Sequence, residues 1–280
     1  MTNVIEMQNF AKDIRKETLK IFLNRGFGHI GGALSIIETL AVLYSTMKIN
    51  PENPKDLNRD FFILSKGHAS PSLYAALALK GFFPKDWLYT LNDNGTNLPS
   101  HPDRNLTPGI DMTTGSLGQG ISAAAGVALG LKRDNSERKV YCIVGDGELN
   151  EGQCWEAIQF AAHFKLTNFT LFIDNNKKQL DGPNDEICET FSFLEKLRSF
   201  GFHSMQVKGN SVEEIYTALQ GEHYGKPKAI VLDTVKGQGV KYFEDLKDNH
   251  HVKFNDEMKG VLLWEIQNFE SEGEEGDINE

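Results

Sequence analysis

The segment KVYCIVGDGELNEG closes an apolar run with glycine, aspartate and glycine, and NFTLFIDNNKKQLDG closes another with an asparagine pair. If the two runs are parallel strands, Asp146, Asn175 and Asn176 fall just beyond their carboxyl ends, where open α/β sheets bind ligands. One carboxylate plus one amide oxygen suits magnesium, which takes oxygen ligands octahedrally and shares itself between carboxylates and phosphates. Gly145 and Gly147 keep side chains away from a diphosphate that must approach the backbone. By itself a GDG after a strand is a common turn. The chemical reading gains its force from the asparagine pair 28 residues on (175 − 147).

Two further groups could join this chemistry. TTGSLGQGISAAAGVALGLK is a glycine-rich loop running into a small-residue helix, whose first N–H groups are open to anionic oxygens. The same loop also reads as tight packing of a helix on a sheet. His29 in GFGHIGGALS, His68 in SKGHASPS and His101 in PSHPD stand in loop contexts. Imidazoles hydrogen-bond sugar hydroxyls and relay protons near neutral pH, so three converging on one cleft would suit carbohydrate chemistry. Taken singly, each reads equally well as a surface residue, and His163, His203 and His223 read as structural or solvent-facing.

The elements that must position these residues alternate. The apolar spacing of Phe10, Ile14, Leu19, Ile21 and Phe22 predicts a helix over about 5–24 that stops near Gly26. Ser35 and Glu38 form a capping-box pattern for a helix reaching Met47. DFFILS (60–65) reads as a buried strand, and after it Ser70 caps a helix with Pro71 in its first turn and Gly81 at its close. Strands over 139–144, 168–174 and 229–235 alternate with helices over 152–165 and 211–220. Parallel strands need crossover connections, so the fold class is α/β, a mostly parallel sheet with helices on both faces.

At 280 residues with 40% hydrophobic residues, the chain can bury a sizeable core. A net charge of −10 and the lack of a Lys/Arg cluster argue against nucleic acid. Cys142, Cys154 and Cys188 are odd in number and form no CxxC, the pattern of reduced intracellular thiols. The amino-terminal stretch is amphipathic, and the longest apolar run, 120–131, is short and glycine-broken, which predicts no signal, no membrane span and a cytoplasmic location. Residues 1–268 are expected to form one domain, with 269–280 an acidic, solvated tail.

GDG, a helix and an Asn-ending strand together resemble the thiamine-diphosphate signature, and GDGELNEG and GSLGQG are similar to the transketolase forms of it. The resemblance runs from about residue 8 to 260 and implies the diphosphate-binding (PP) domain fold. It implies Asp146, the Asn176 side chain and the Lys178 carbonyl as ligands of Mg2+, for which Ca2+ or Mn2+ could substitute. Gly147 would lie against the diphosphate, and Gly115, Ser116, Leu117 and His68 would contact the cofactor. His29 and His101 would touch the sugar. Glu151 matches a glutamate of an acidic network near a subunit interface, and it reads equally as a carboxylate favoured at a helix N-terminus.

TVKGQGVKYFEDLKDNHHVKF is similar to the family's KGxG segment, with Lys236 balancing cofactor or substrate charge, or standing as an exposed lysine after a strand. Counting from Lys236 lands on His250 as the family's sugar-binding and cofactor-binding histidine. The family's Trp-His-Gly is replaced by Asn249, His250 and His251, so a one-residue gap would select His251 instead.

The resemblance reaches only the first part of a conventional transketolase and lacks the pyrimidine-binding portion with the glutamate that drives cofactor deprotonation. It therefore implies a separately encoded C-terminal partner chain in an α2β2 assembly, and transfer of a two-carbon ketol unit between sugars or sugar phosphates. Alternatives are a ketolase for a branched or sulfonated sugar, a 1-deoxyxylulose-phosphate-type synthase, and a non-catalytic cofactor-binding subunit.

Overall fold

The computed structural model describes residues 3–277. In chain order these residues form α1 (Val4–Arg25), β1 (Phe27–Gly28), α2 (Ile30–Leu34), α3 (Ile37–Thr46), β2 (Phe61–Leu64), α4 (Ser70–Leu79), α5 (Gln119–Arg133), β3 (Val140–Gly145) and α6 (Gly152–His163). There follow β4 (Phe169–Asn175), α7 (Asn184–Ile187), α8 (Phe193–Ser199), β5 (His203–Lys208), α9 (Val212–Gln220), β6 (Lys228–Asp233), α10 (Lys241–Asp245), β7 (Val252–Lys253) and α11 (Asp256–Asp277).

Five strands pair in parallel in the order β2-β3-β4-β6-β5. Side chains alternate across a strand. In β3, accordingly, Val140, Cys142 and Val144 face one core while Tyr141 and Ile143 face the other. The first core packs under α5, α6 and α8, and the second under α1, α3, α4, α9 and α11. Burial on both faces explains why β2, β3, β4 and β6 read as continuous apolar runs rather than alternating ones. All five strands run the same way, so their carboxyl ends gather at one edge of the sheet.

Local signals mostly land where the chain chemistry places them. Asn3 caps α1 by accepting from the Ile5 N–H at 3.0 Å, and Gly26, at φ 79°, closes it by donating to the Phe22 carbonyl at 2.8 Å. Ser211 caps α9 by accepting from the Glu214 N–H at 3.2 Å. Two expected caps are absent. Ser35 instead ends α2 and donates to Asp174 at 2.6 Å, while Glu38 pairs with Arg15 at 2.7 Å, so long-range partners outbid the local capping box. Ser70 lies inside the first turn of α4 and donates to the Ser100 carbonyl at 2.6 Å.

The segment set apart as a tail from 269 is helical through Asp277, with Glu270 paired to Lys20 at 3.0 Å; residues 278–280 lie outside the described residues. The edge strand β5 and the small antiparallel β1–β7 ladder were not anticipated. Among the described residues no helix is long and apolar enough to cross a membrane.

Candidate active site

Beyond the carboxyl ends of β2, β3, β4 and β6 lies a cleft of about 390 Å³. It is lined by His29, His68, His101, Gly115, Leu117, Asp146, Gly147, Glu151, Asn176, Lys178, Lys236 and His250. Nearly every residue singled out in the sequence thus meets in one place, from segments more than 200 residues apart (250 − 29). Ser116 is exposed beside the cleft rather than lining it, and Asn175 turns toward a neighbouring hollow with Thr234 and Val235.

One end of the cleft is built from charge. Asp146 follows directly after β3, is 2% exposed, and accepts from the Gly147 N–H at 2.7 Å and from the Lys177 N–H. Lys177 adopts a left-handed conformation, φ 68°, which turns its N–H onto Asp146 in the loop after β4. Burial, and then the nearby Asp174 carboxylate, push Asp146 up to about 7. A carboxylate so strained by desolvation and a like charge is relieved by a divalent cation, which is the chemistry the donor set offers.

Asn176 commits its Nδ2 to Asp174 at 2.8 Å, so Oδ1, which accepts from the Lys178 N–H at 3.2 Å, is the atom left for a cation. The Lys178 carbonyl accepts from Lys236 Nζ at 3.1 Å, and its second lone pair can still serve a metal. Among the described residues no three His, Cys, Asp or Glu side chains group as a metal site. The oxygen set is therefore one carboxylate, one amide and one carbonyl. That set fits a hard cation which keeps further positions for phosphate oxygens and water.

Behind these atoms stands a network that the sequence reading did not single out. Asp174 is fully buried and receives Lys66 Nζ at 2.6 Å, Ser35 Oγ at 2.6 Å, Thr234 Oγ1 at 2.5 Å and Asn176 Nδ2. Burial would raise its pKa, but the Lys66 ammonium and these donors hold it below the usual carboxylate range. Glu148 accepts from Ser65 Oγ at 2.5 Å and from the N–H groups of Gly118 at 2.9 Å and Gly145 at 3.1 Å, which staples three site loops together. The available signal was a charge closing or following a fully apolar strand, because such a charge must be paired. At Gly147 an added Cβ would lie 2.7 Å from Gln179 Cβ, so the turn has room for glycine alone.

The other end is built from rings. His29 is the hub, with ring centroids at 5.4 Å to His68, 6.0 Å to His101, 5.3 Å to His250 and 4.7 Å to His251. His250 Nδ1 sits 3.0 Å from Lys236 Nζ. Of the two candidates, His250 therefore enters the cleft, while His251 packs on the outer side of His29 against Phe27, at 5.8 Å. Burial, and then neighbouring His251, lower His29 to about 4; burial, and then Lys236, lower His250 to about 3. His68 and His101 are lowered by burial as well. At neutral pH these imidazoles are uncharged and each ring offers one donor and one acceptor. Burial followed by Lys66 brings Lys236 down to about 8, which leaves it mostly cationic at pH 7.

Gly115, at φ +147°, passes 3.2 Å from the His101 ring measured from an added Cβ, a close backbone approach at the cleft wall. Glu151 lines the cleft but is exposed, at the start of α6, where both of its readings remain compatible with its position. His163 and His203 lie away from the cleft, in ring contacts with Phe164 and Tyr224.

Known proteins share this arrangement of sequence and fold. Residues 7–265 match the family model described as "Transketolase, thiamine diphosphate binding domain". The chain is 47% identical over 266 residues to the 6-deoxy-6-sulfo-D-fructose transketolase subunit SqwG of Clostridium sp. (strain MSTE9), covering 94% of this chain and 97% of that one. It is 37% identical over 263 residues to an apulose-4-phosphate transketolase subunit of Actinobacillus succinogenes, covering 92% and 95%. Among solved structures, transketolase from Campylobacter jejuni superposes with a TM-score of 0.85 at 29% identity, over 99% of this chain and 47% of that one. The chain thus spans about half the length of that single-chain transketolase.

Proposed function

The chain belongs to the transketolase thiamine-diphosphate-binding family, and from that premise we propose that it is the diphosphate-binding subunit of a two-subunit enzyme transferring a two-carbon ketol unit between sugars. The observation that carries this reading is the single cleft joining Asp146, Asn176 and the Lys178 carbonyl to four imidazoles. Relatives that match along nearly their whole length are themselves named as subunits, which supports a separate partner. An α2β2 assembly in the cytoplasm, with the active site at the subunit interface, is part of the proposal. The family leaves no reason to prefer a synthase or a non-catalytic subunit over a ketolase.

Thiamine diphosphate, when bound, supplies the nucleophile and electron sink for breaking the carbon–carbon bond of a ketose. Asp146, Asn176 and the Lys178 carbonyl would hold Mg2+, and Gly147, Gly115 and Leu117 would let the diphosphate approach the backbone. Lys236 offsets the diphosphate or substrate charge, and its ammonium, steadied by the Gln179 carbonyl at 3.1 Å, also fixes His250. His68, in ring contact with both His29 and His250, orients the cofactor side of the cleft. His29, His101 and His250, neutral at pH 7, donate to and accept from the ketose hydroxyls and move protons at the substrate oxygens. Glu151 joins an acidic network completed by the partner subunit. Anchoring of this kind is binding energy, and it accelerates transfer only insofar as it orients the reacting carbonyl.

The similarity to a 6-deoxy-6-sulfo-D-fructose transketolase subunit favours a second reading of the substrate, a sulfonated ketose in place of a phosphorylated one. The test is ketol transfer by this chain mixed with its candidate C-terminal subunit, thiamine diphosphate and Mg2+, offering xylulose 5-phosphate or 6-deoxy-6-sulfo-D-fructose as donor. Transfer from either establishes the ketolase reading and their ratio assigns the donor. Pyruvate-dependent release of carbon dioxide in place of transfer would refute it.

A further inference from the structure

His251 stands at a position where the family pattern has glycine, and the structure gives it a defined place. The β1–β7 ladder pairs Phe27 with Lys253 and Gly28 with Val252, so the next pair in register is His29 with His251. Their ring centroids are 4.7 Å apart with planes at 73°, an edge-to-face contact. Phe27 closes on the outer side of His251 at 5.8 Å. The turn leading into the ladder is itself fixed: Asn249 Nδ2 donates to the carbonyls of Lys236 and Phe243, each at 2.8 Å, and its own carbonyl accepts from the Gly31 N–H at 3.1 Å.

Among the described residues no hydrogen bond is made to the His29 ring, so its orientation rests on ring contacts. His68, His101 and His250 reach it from within the cleft, where a substrate would also lie, whereas His251 supports it from outside. We infer that His251 is a positioning residue that holds the His29 imidazole in its sugar-facing orientation through the β1–β7 ladder, without itself touching substrate. The inference rests on the ketolase reading for the role of His29, but the geometry of the support does not.

Two variants and two readouts test it. Cross-strand and edge-to-face aromatic pairs contribute enough that His251→Gly should lower kcat/KM for the ketose by about five- to tenfold in the assembled enzyme. His251→Phe, which restores a ring without imidazole nitrogens, should return it to within about twofold of the parent, since packing is what the contact supplies. Crystal structures of the full chain should show one His29 ring orientation in the parent and in His251→Phe, and a rotated or divided one in His251→Gly. The inference is overturned if Phe is as impaired as Gly, because a nitrogen contact to substrate would then be the cause. Parent-like kinetics or an unchanged His29 ring in the Gly variant overturns it too. Absence of transfer by the unsubstituted mixture would count against the proposed function, and the ring orientations would still decide the present point.

Discussion

The two ends of the cleft are made of different materials. Around Asp146 and Asn176 the side chains are buried, charged and cross-bonded: Asp174 alone receives four donors, and Lys66 beside it is 1% exposed. Around His29 the groups are neutral rings on loops, held by edge contacts, with the Lys236–His250 bond as their main polar link. The difference teaches which part of the site this chain completes by itself. Fixed charges on strand ends are preorganised for a cation and a diphosphate, whereas on the proposed reading the imidazoles form one wall for a sugar whose opposite wall the partner subunit supplies.

The largest effect expected from this contrast is on folding. Asp174→Ala leaves Lys66 a buried, unpaired cation, which costs about 3–5 kcal/mol and should move the urea midpoint sharply; His101→Ala should leave that midpoint nearly in place. If both variants unfold alike, the contrast between the two ends is broken. Next, Asp146→Ala should reduce ketol transfer of the assembled enzyme by more than about 100-fold, beyond the range typical of outer-shell metal partners, with excess Mg2+ restoring little. With His101 in its proposed sugar-binding role, His101→Ala should lower kcat/KM for the ketose by about tenfold, with thiamine diphosphate affinity unchanged. Loss of cofactor affinity in that variant would place His101 at the wrong end.

The smallest effect is a pH dependence. His29, lowered by burial and His251 to about 4, stays neutral in the fold while the unfolded chain protonates near its ordinary value of 6.5. Its contribution to stability is therefore present above about 6.5 and is lost as pH falls toward 4, since the unfolded state binds the extra proton in that window. The thermal midpoint of the parent should accordingly drop relative to His29→Asn across that range and run parallel to it above. Parallel curves throughout would show that the ring is not held neutral.

Much of this was legible in the sequence because the sheet is buried on both faces. The runs FFIL, VYCIVG, FTLFID and AIVLD announce themselves as strands, and the motif residues follow from their ends. HSMQVK did not, because β5 is an edge strand whose Gln206 and Lys208 face solvent and interrupt the apolar run. Ser35 and Glu38 misled for a related reason. Their spacing fits a local cap, yet their partners, Asp174 and Arg15, lie 139 and 23 residues away, beyond the reach of any local pattern. The Lys66–Asp174 pair, 108 residues apart, was hidden in the same way. Counting alone could not separate His250 from His251, since a ladder of two residue pairs decides which ring faces inward.

The most direct test of the central claim, that this chain carries a finished diphosphate anchor and an unfinished site, is titration of thiamine diphosphate with Mg2+ into the chain alone and into its mixture with the C-terminal subunit. The account predicts weak, Mg2+-dependent binding to the chain, lost in Asp146→Ala, and binding to the mixture tighter by at least about tenfold, or about 1.4 kcal/mol. Equal affinity with and without the partner would contradict it.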